Sequence, residues 1–138
     1  MRAYYPKLTW LLPNSNKTVY LTFDDGPTPE ITDWVLNQLE QYNAKATFFL
    51  IGKNIEENPE IFERLMVSGH SLGNHTYNHL NGWKNSTEEY LKQFNKCEKL
   101  LSTKLFRPPY GKLKKAQSKA ILKTHNIIMW DIISYDFD

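Results

Sequence analysis

Three polar clusters in this 138-residue chain combine residue types able to do chemistry: Thr22-Phe23-Asp24-Asp25-Gly26-Pro27, then Asn74-His75-Thr76-Tyr77-Asn78-His79, then Arg107-Pro108-Pro109-Tyr110-Gly111. Neighbouring side chains on an extended strand point to opposite faces, so one of Asp24 and Asp25 is free to bind a cation while the other faces a water. Taken alone, Asp-Asp-Gly-Pro is also ordinary turn chemistry. His75 and His79, four residues apart, can share one face of a helical turn and converge on a cation. A parallel fold that sets the strand ending in Asp25 beside theirs adds a carboxylate to the two imidazoles. Two His and one acid, with the fourth position left to water, is the pattern of catalytic rather than structural zinc.

Arg107 is followed by two prolines, which stiffen its backbone and aim its guanidinium. A fixed Arg beside a carboxylate favours the ionised acid, which suits a base. In isolation it is equally a surface Arg before a rigid turn. Tyr110-Gly111 offers a backbone N–H to a developing oxyanion.

Strands and helices that alternate along the chain must position these clusters. Residues 18–23 alternate β-branched, aromatic and apolar side chains and stop at the two acids, the first strand. Thr28 caps a helix with Pro29 at its first position and Ile31, Trp34, Val35, Leu39 and Tyr42 as its stripe. An apolar run over 46–51 follows, closed by Gly52. Asn58-Pro59 opens a second helix with Ile61, Phe62, Leu65 and Met66 buried, and residues 71–73 form a brief strand entering His75. Ser86 and Glu89 read as a capping box ahead of Tyr90, Leu91, Phe94, Cys97 and Leu101. Residues 105–107 form a strand halted by Pro108-Pro109. Leu113, Ala116, Ala120 and Ile121 mark a last helix and 127–130 a last strand. This βαβαβαβαβ order implies a mainly parallel sheet covered by helices, either doubly wound or curled into a barrel. Both place their sites at the C-terminal ends of the strands, where the clusters lie.

With 41% hydrophobic, 14% aromatic and 23% charged residues, the chain has the composition of one globular domain rather than a disordered tail or a membrane protein. A net charge of +2 is too small to imply nucleic acid or an anionic membrane as partner. The run of Lys112, Lys114, Lys115, Lys119 and Lys123 reads as a solvated helix face. No apolar run approaches a transmembrane span, and the N-terminus lacks the apolar region of a signal peptide, so the expectation is a cytoplasmic protein, or a cell-envelope one whose export segment is missing from this sequence. Cys97, the only cysteine, excludes an intrachain disulfide and reads as core. A nucleotide-binding doubly wound domain is disfavoured because no Gly-rich phosphate loop follows the first strand.

Together the segments TFDDG, HTYNH and RPPYG resemble, in order, the three motifs of the polysaccharide deacetylase family, the NodB homology domain of carbohydrate esterase family 4. The resemblance covers about residues 18–137. It implies a distorted (β/α) barrel of fewer than eight strands spanning residues 18–138, with 1–17 as an N-terminal extension. It implies Asp24 as general base, Asp25, His75 and His79 as ligands of a divalent metal, usually zinc and in some members cobalt or nickel, and Thr76 as a support of the metal loop. Arg107 would orient Asp24, the Tyr110 N–H would hold the tetrahedral intermediate, and Pro109, Tyr110 and Phe137 would contact the substrate. Such enzymes remove acetyl groups from chitin oligomers, peptidoglycan or xylan, so an acetylated glycan is the implied substrate.

Two family segments are altered or missing. The fourth, D-x-x-D-W, aligns with residues 133–137, where Ile133 replaces the first Asp and Phe137 the Trp; Asp131 or Asp136 is a candidate substitute. The fifth, a Leu-x-His that supplies the general acid, has no counterpart, and neither His70 nor His125 has its context. Five strands are fewer than the family barrel has, so the expectation is a C-terminally shortened domain. The competing expectation is a non-catalytic metal- or carbohydrate-binding relative. Trp83 and Tyr77 lie close to the metal segment in sequence and are candidates for stacking on sugar rings.

Overall fold

A computed structural model describes residues 5–12 and 17–134. The elements run β1 (Leu21–Gly26), α1 (Ile31–Gln41), β2 (Ala46–Leu50), α2 (Gly52–Glu57), α3 (Pro59–Val67), β3 (Ser71–Asn74), α4 (Thr87–Leu101), β4 (Leu105–Phe106), a 3-10 turn (Pro109–Gly111), α5 (Lys115–Ile121) and β5 (Asn126–Ile127). All five strands pair in parallel, in the order β1-β2-β3-β4-β5.

That order decides between the two architectures open from sequence. A doubly wound sheet reverses its strand order at a switch point, whereas right-handed crossovers that always step the same way put every helix on one face and curl the sheet. Arg107 measures the curl. Its guanidinium bonds Thr22 and Asp24 of β1 and also the carbonyls of Ile128 and Met129, just past β5. In a flat sheet the first and fifth strands would be four spacings, roughly 19 Å, apart. One planar group spans them only because the sheet closes toward a barrel.

Two apolar clusters fill the space between sheet and helices. Val35, Leu39, Phe48, Leu50, Ile55 and Leu65 pack under α1 to α3, and Tyr90, Phe94, Phe106, Ile121, Ile127 and Met129 under α4 and α5. Leu8 belongs to the second cluster, and Thr9 bridges Ile128 in parallel. Residues 5–12, inside the stretch set apart as an extension, thus pack on the domain itself. Cys97 is fully buried and donates to the Leu50 carbonyl at 3.5 Å.

Several local expectations shift. The first strand carries the acids at its C-terminal end but starts at Leu21 rather than residue 18, and β1 runs on to Gly26 with Asp25 as the extra residue of a bulge at φ 68°. Thr28 does not cap α1 with its side chain. Its backbone N–H instead donates to Thr32 Oγ1, and the helix starts at Ile31. Ile31, Trp34 and Tyr42 are exposed, because α1 presents the narrower line Thr32, Val35 and Leu39 to the sheet. Trp34 and Tyr42 instead line an open apolar groove with Leu21, Phe23 and Ala44 beside β1, an edge strand among the described residues. Met66 is likewise exposed. The apolar run does end before Gly52, which begins α2, an extra short helix ahead of α3. Ser86 does cap α4, its side chain accepting from Glu89 N at 3.1 Å. The final strand is shorter than 127–130, ending at Ile127 with Ile128 in the isolated bridge. Among the described residues, no helix is long and apolar enough to cross a membrane.

Candidate metal centre and active site

The three clusters meet where β1, β3 and β4 end. The bulge turns Asp25 away from the alternation of β1, a left-handed position that aspartate tolerates better than most residues, and Asn54 Nδ2 holds it by donating to the Asp25 carbonyl at 2.7 Å. Its Oδ1 then lies 3.4 Å from His75 Nε2 and 3.2 Å from His79 Nε2.

The histidines converge by a route other than a helical turn. Residues 75–80 form no helix; Thr76 and His79 both take left-handed backbone, at φ 65° and 53°. Asn74, fully buried at the end of β3, fixes this loop. Its Oδ1 accepts the Thr76 N–H at 2.8 Å, and its Nδ2 donates to the Phe94 carbonyl at 3.0 Å and to Glu98 at 3.1 Å. Thr76 Oγ1 accepts the Leu80 N–H at 3.2 Å and so ties the far side of His79. Sequence reasoning singled out Thr76 but missed Asn54 and Asn74 as supports. A buried Asn next to a ligand is a signal only once burial is known.

His75 Nδ1 lies 2.7 Å from the Arg107 carbonyl, which only accepts, so Nδ1 carries the proton and Nε2 offers its lone pair toward Asp25. Burial pushes the His79 ring below its ordinary pKa, favouring the neutral, ligating form, with the neighbouring Asp25 carboxylate opposing. The His75 ring beside it holds the Asp25 carboxyl below its ordinary value, against the effect of its own partial burial. All three ligand atoms lie within 4.8 Å of one another. Ligands at about 2.0–2.1 Å on the corners of a tetrahedron stand roughly 3.3 Å apart, so the two distances from Asp25 suit a zinc-sized cation with a corner open.

Asp24 is kept apart from these ligands by Arg107. Its Oδ1 accepts from Arg107 Nη1 at 2.7 Å. Arg107 is 3% exposed, and its guanidinium also bonds Thr22 Oγ1 and the Ile128 and Met129 carbonyls and lies 4.2 Å over the Phe49 ring. Burial lowers the Arg107 pKa and the Asp24 carboxylate opposes that. Tyr110 follows buried Pro109 in the 3-10 turn at φ 59°, its ring 4.5 Å from that of His79. The Gly111 and Lys112 amides are tied to Pro108 and Pro109 carbonyls; that of Tyr110 is not in this ladder.

Other singled-out residues lie elsewhere. His125 is buried edge-on against Phe94 with Nε2 3.2 Å from Glu98, and the His70 ring lies tilted against Phe48 at 5.4 Å. Asp131 is exposed and pairs with neither ligand histidine. Asp136 and Phe137 lie outside the described residues.

Comparison with known proteins identifies the family of the chain. The sequence profile described as Polysaccharide deacetylase matches residues 12–129. The chain belongs to the polysaccharide deacetylase family. It is 42% identical over 132 residues to a peptidoglycan-N-acetylglucosamine deacetylase of Bacillus cereus, covering 91% of this chain and 48% of that protein. To a chitooligosaccharide deacetylase of Azorhizobium caulinodans it is 35% identical over 134 residues, covering 92% and 62%. The crystal structure of the Bc1960 peptidoglycan N-acetylglucosamine deacetylase superposes with a TM-score of 0.87 at 40% identity, covering 91% of this chain and 62% of that one. This family member thus spans about half the length of the first of these relatives, and its five-stranded parallel sheet is that of the family fold.

Proposed function

We propose that this chain is a metal-dependent hydrolase that removes acetyl groups from N-acetylated glycans of the peptidoglycan or chito-oligosaccharide type. One observation carries the reading: Asp25, His75 and His79 converge as a two-nitrogen, one-oxygen set while the adjacent Asp24 is withheld from it by Arg107. The names of the relatives, deacetylases of both glycan types, support the substrate class.

Zinc, or cobalt or nickel in its place, held by Asp25, His75 and His79 would supply Lewis-acid polarisation of the acetyl carbonyl and acidify water beside it. Asp24 is the base. Arg107 occupies its Oδ1 and leaves the other oxygen to accept the proton of the attacking water. The Tyr110 N–H donates to the oxyanion as the carbonyl carbon becomes tetrahedral. The proton that Asp24 takes from water passes to the leaving amine as the C–N bond breaks.

Acetate release from N-acetylated chito-oligomer and from peptidoglycan, with and without added zinc, tests the reading. Wild type should release acetate only with metal. Asp24→Asn should bind zinc like wild type yet lose about 10²–10⁴-fold in turnover, the usual worth of a general base. Zinc binding with no acetate from wild type would favour the non-catalytic relative instead.

A further inference from the structure

Trp83 combines two properties that rarely occur together. It is 52% exposed, yet its ring is anchored: the indole N–H donates to the Leu113 carbonyl at 3.3 Å, and its backbone N–H to Asn81 Oδ1 at 3.0 Å. The loop carrying it is joined to the segment after the 3-10 turn. Gly82 N donates to the Lys112 carbonyl, and Gln117, fully buried, bonds both the Gly82 carbonyl and the Lys114 N–H. The two chains run so close that a Cβ on Gly82 would stand 2.3 Å from the Lys112 oxygen. An exposed aromatic ring already held in place loses little freedom on binding, which favours its use as a platform.

Lys112 brings a charge to the same place. Its Nζ stands over the Trp83 ring at 5.6 Å from the centroid, well beyond the 3.3 Å at which Lys96 covers Tyr77, and among the described residues it forms no salt bridge. It stands two residues after Tyr110, at most about 7 Å along the chain, and Tyr110 contacts the ligand His79. Tyr77, the other aromatic near the histidines, differs: its hydroxyl donates to Glu56 and Lys96 covers its ring at 3.3 Å, so both groups are already engaged.

We propose that Trp83 and Lys112 form a subsite for a sugar neighbouring the one deacetylated, Trp83 stacking on its apolar face and Lys112 pairing with a carboxylate. The preferred substrate is then an acidic, muramic-acid-containing strand rather than a neutral chito-oligosaccharide. This rests on the deacetylase reading of the adjacent site. Sugar C–H groups pack on an aromatic face, and an unpaired ammonium selects for a carboxylate.

Calorimetric binding to the zinc-loaded full chain tests it with two probes, chitotetraose and a tetrasaccharide of alternating N-acetylglucosamine and N-acetylmuramic acid. Wild type should bind the acidic probe more tightly. Lys112→Glu should weaken the acidic probe about tenfold and the neutral one less than about twofold, while Trp83→Ala weakens both at least about fivefold and Trp83→Phe recovers most of that loss. The proposal fails if Lys112→Glu changes both probes equally, if Trp83→Ala changes neither, or if wild type binds neither probe or prefers the neutral one. Acetate release is read separately. A Lys112-dependent preference without acetate release would leave the subsite standing and overturn the deacetylase reading. Acetate released alike from both probes, by wild type and Lys112→Glu, would do the reverse.

Discussion

His75 Nδ1–H donates a hydrogen bond to the backbone carbonyl of Arg107 at 2.7 Å, and the side chain of that same Arg107 grips the base candidate Asp24, also at 2.7 Å. One residue therefore orients a metal ligand through its backbone and the base through its side chain. The two functions separate by mutation, because a side-chain change leaves the carbonyl in place.

Arg107→Lys puts one ammonium where a planar fork reaches Asp24, Thr22 and two carbonyls. In so buried a position the lost bonds should cost about 2–4 kcal/mol of stability, read by urea denaturation. Turnover should fall at least about tenfold with misplacement of Asp24. Zinc affinity should hold within about threefold, since ligand supports outside the altered side chain are retained. An Arg107→Lys protein that lost zinc as readily as turnover would contradict this division.

Asn74→Ala removes the acceptor of the Thr76 N–H and the side-chain donor that ties β3 to the Phe94 carbonyl and Glu98 of α4. Because the loop it ties holds His79 in left-handed backbone, zinc affinity should drop about 10–100-fold, the usual effect of losing a support behind a ligand. Titration against a chromogenic chelator measures it. Equal zinc affinity in variant and wild type would remove Asn74 from the site.

Protons compete with the metal for His79. Burial lowers the pKa of this ring from the ordinary 6.5, so it remains neutral at pH values where an exposed histidine is already half charged. Asp25 is also held low and stays ionised throughout that range. Zinc affinity should therefore stay level as pH falls toward the ordinary histidine value and decline only below it. A decline starting above that value would mean that His79 is not held neutral by its surroundings.

Cys97 should ignore thiol reagents in the folded protein. It is fully buried, and burial pushes its thiol up to about 12. Reagent consumption is expected only after unfolding in denaturant; prompt labelling under native conditions would show that the packing of α4 on α2 and β3 opens readily.

The chemistry was legible in the sequence because it depends on residue types at fixed local spacing. Two acids at a strand end, a His pair four apart and an Arg before two prolines are visible without coordinates, and so is the alternation of strands and helices that sends all three clusters to one end of a parallel sheet. The convergence of those clusters depends on long-range geometry that no local pattern encodes. The unbroken strand order made a curled sheet instead of a doubly wound one, which is what lets Arg107 reach β1 from β4. The bulge at Asp25 and the left-handed Thr76 and His79 decide where the ligands point, and each is held by partners distant in sequence: Asn54 at the bulge, Phe94 and Glu98 behind Asn74. Periodicity also overstated the buried face of α1, where Trp34 and Tyr42 flank an open sheet edge. Local sequence dictates which groups are present and which element carries them; backbone strain and burial, settled only when distant segments pack, dictate which of them meet.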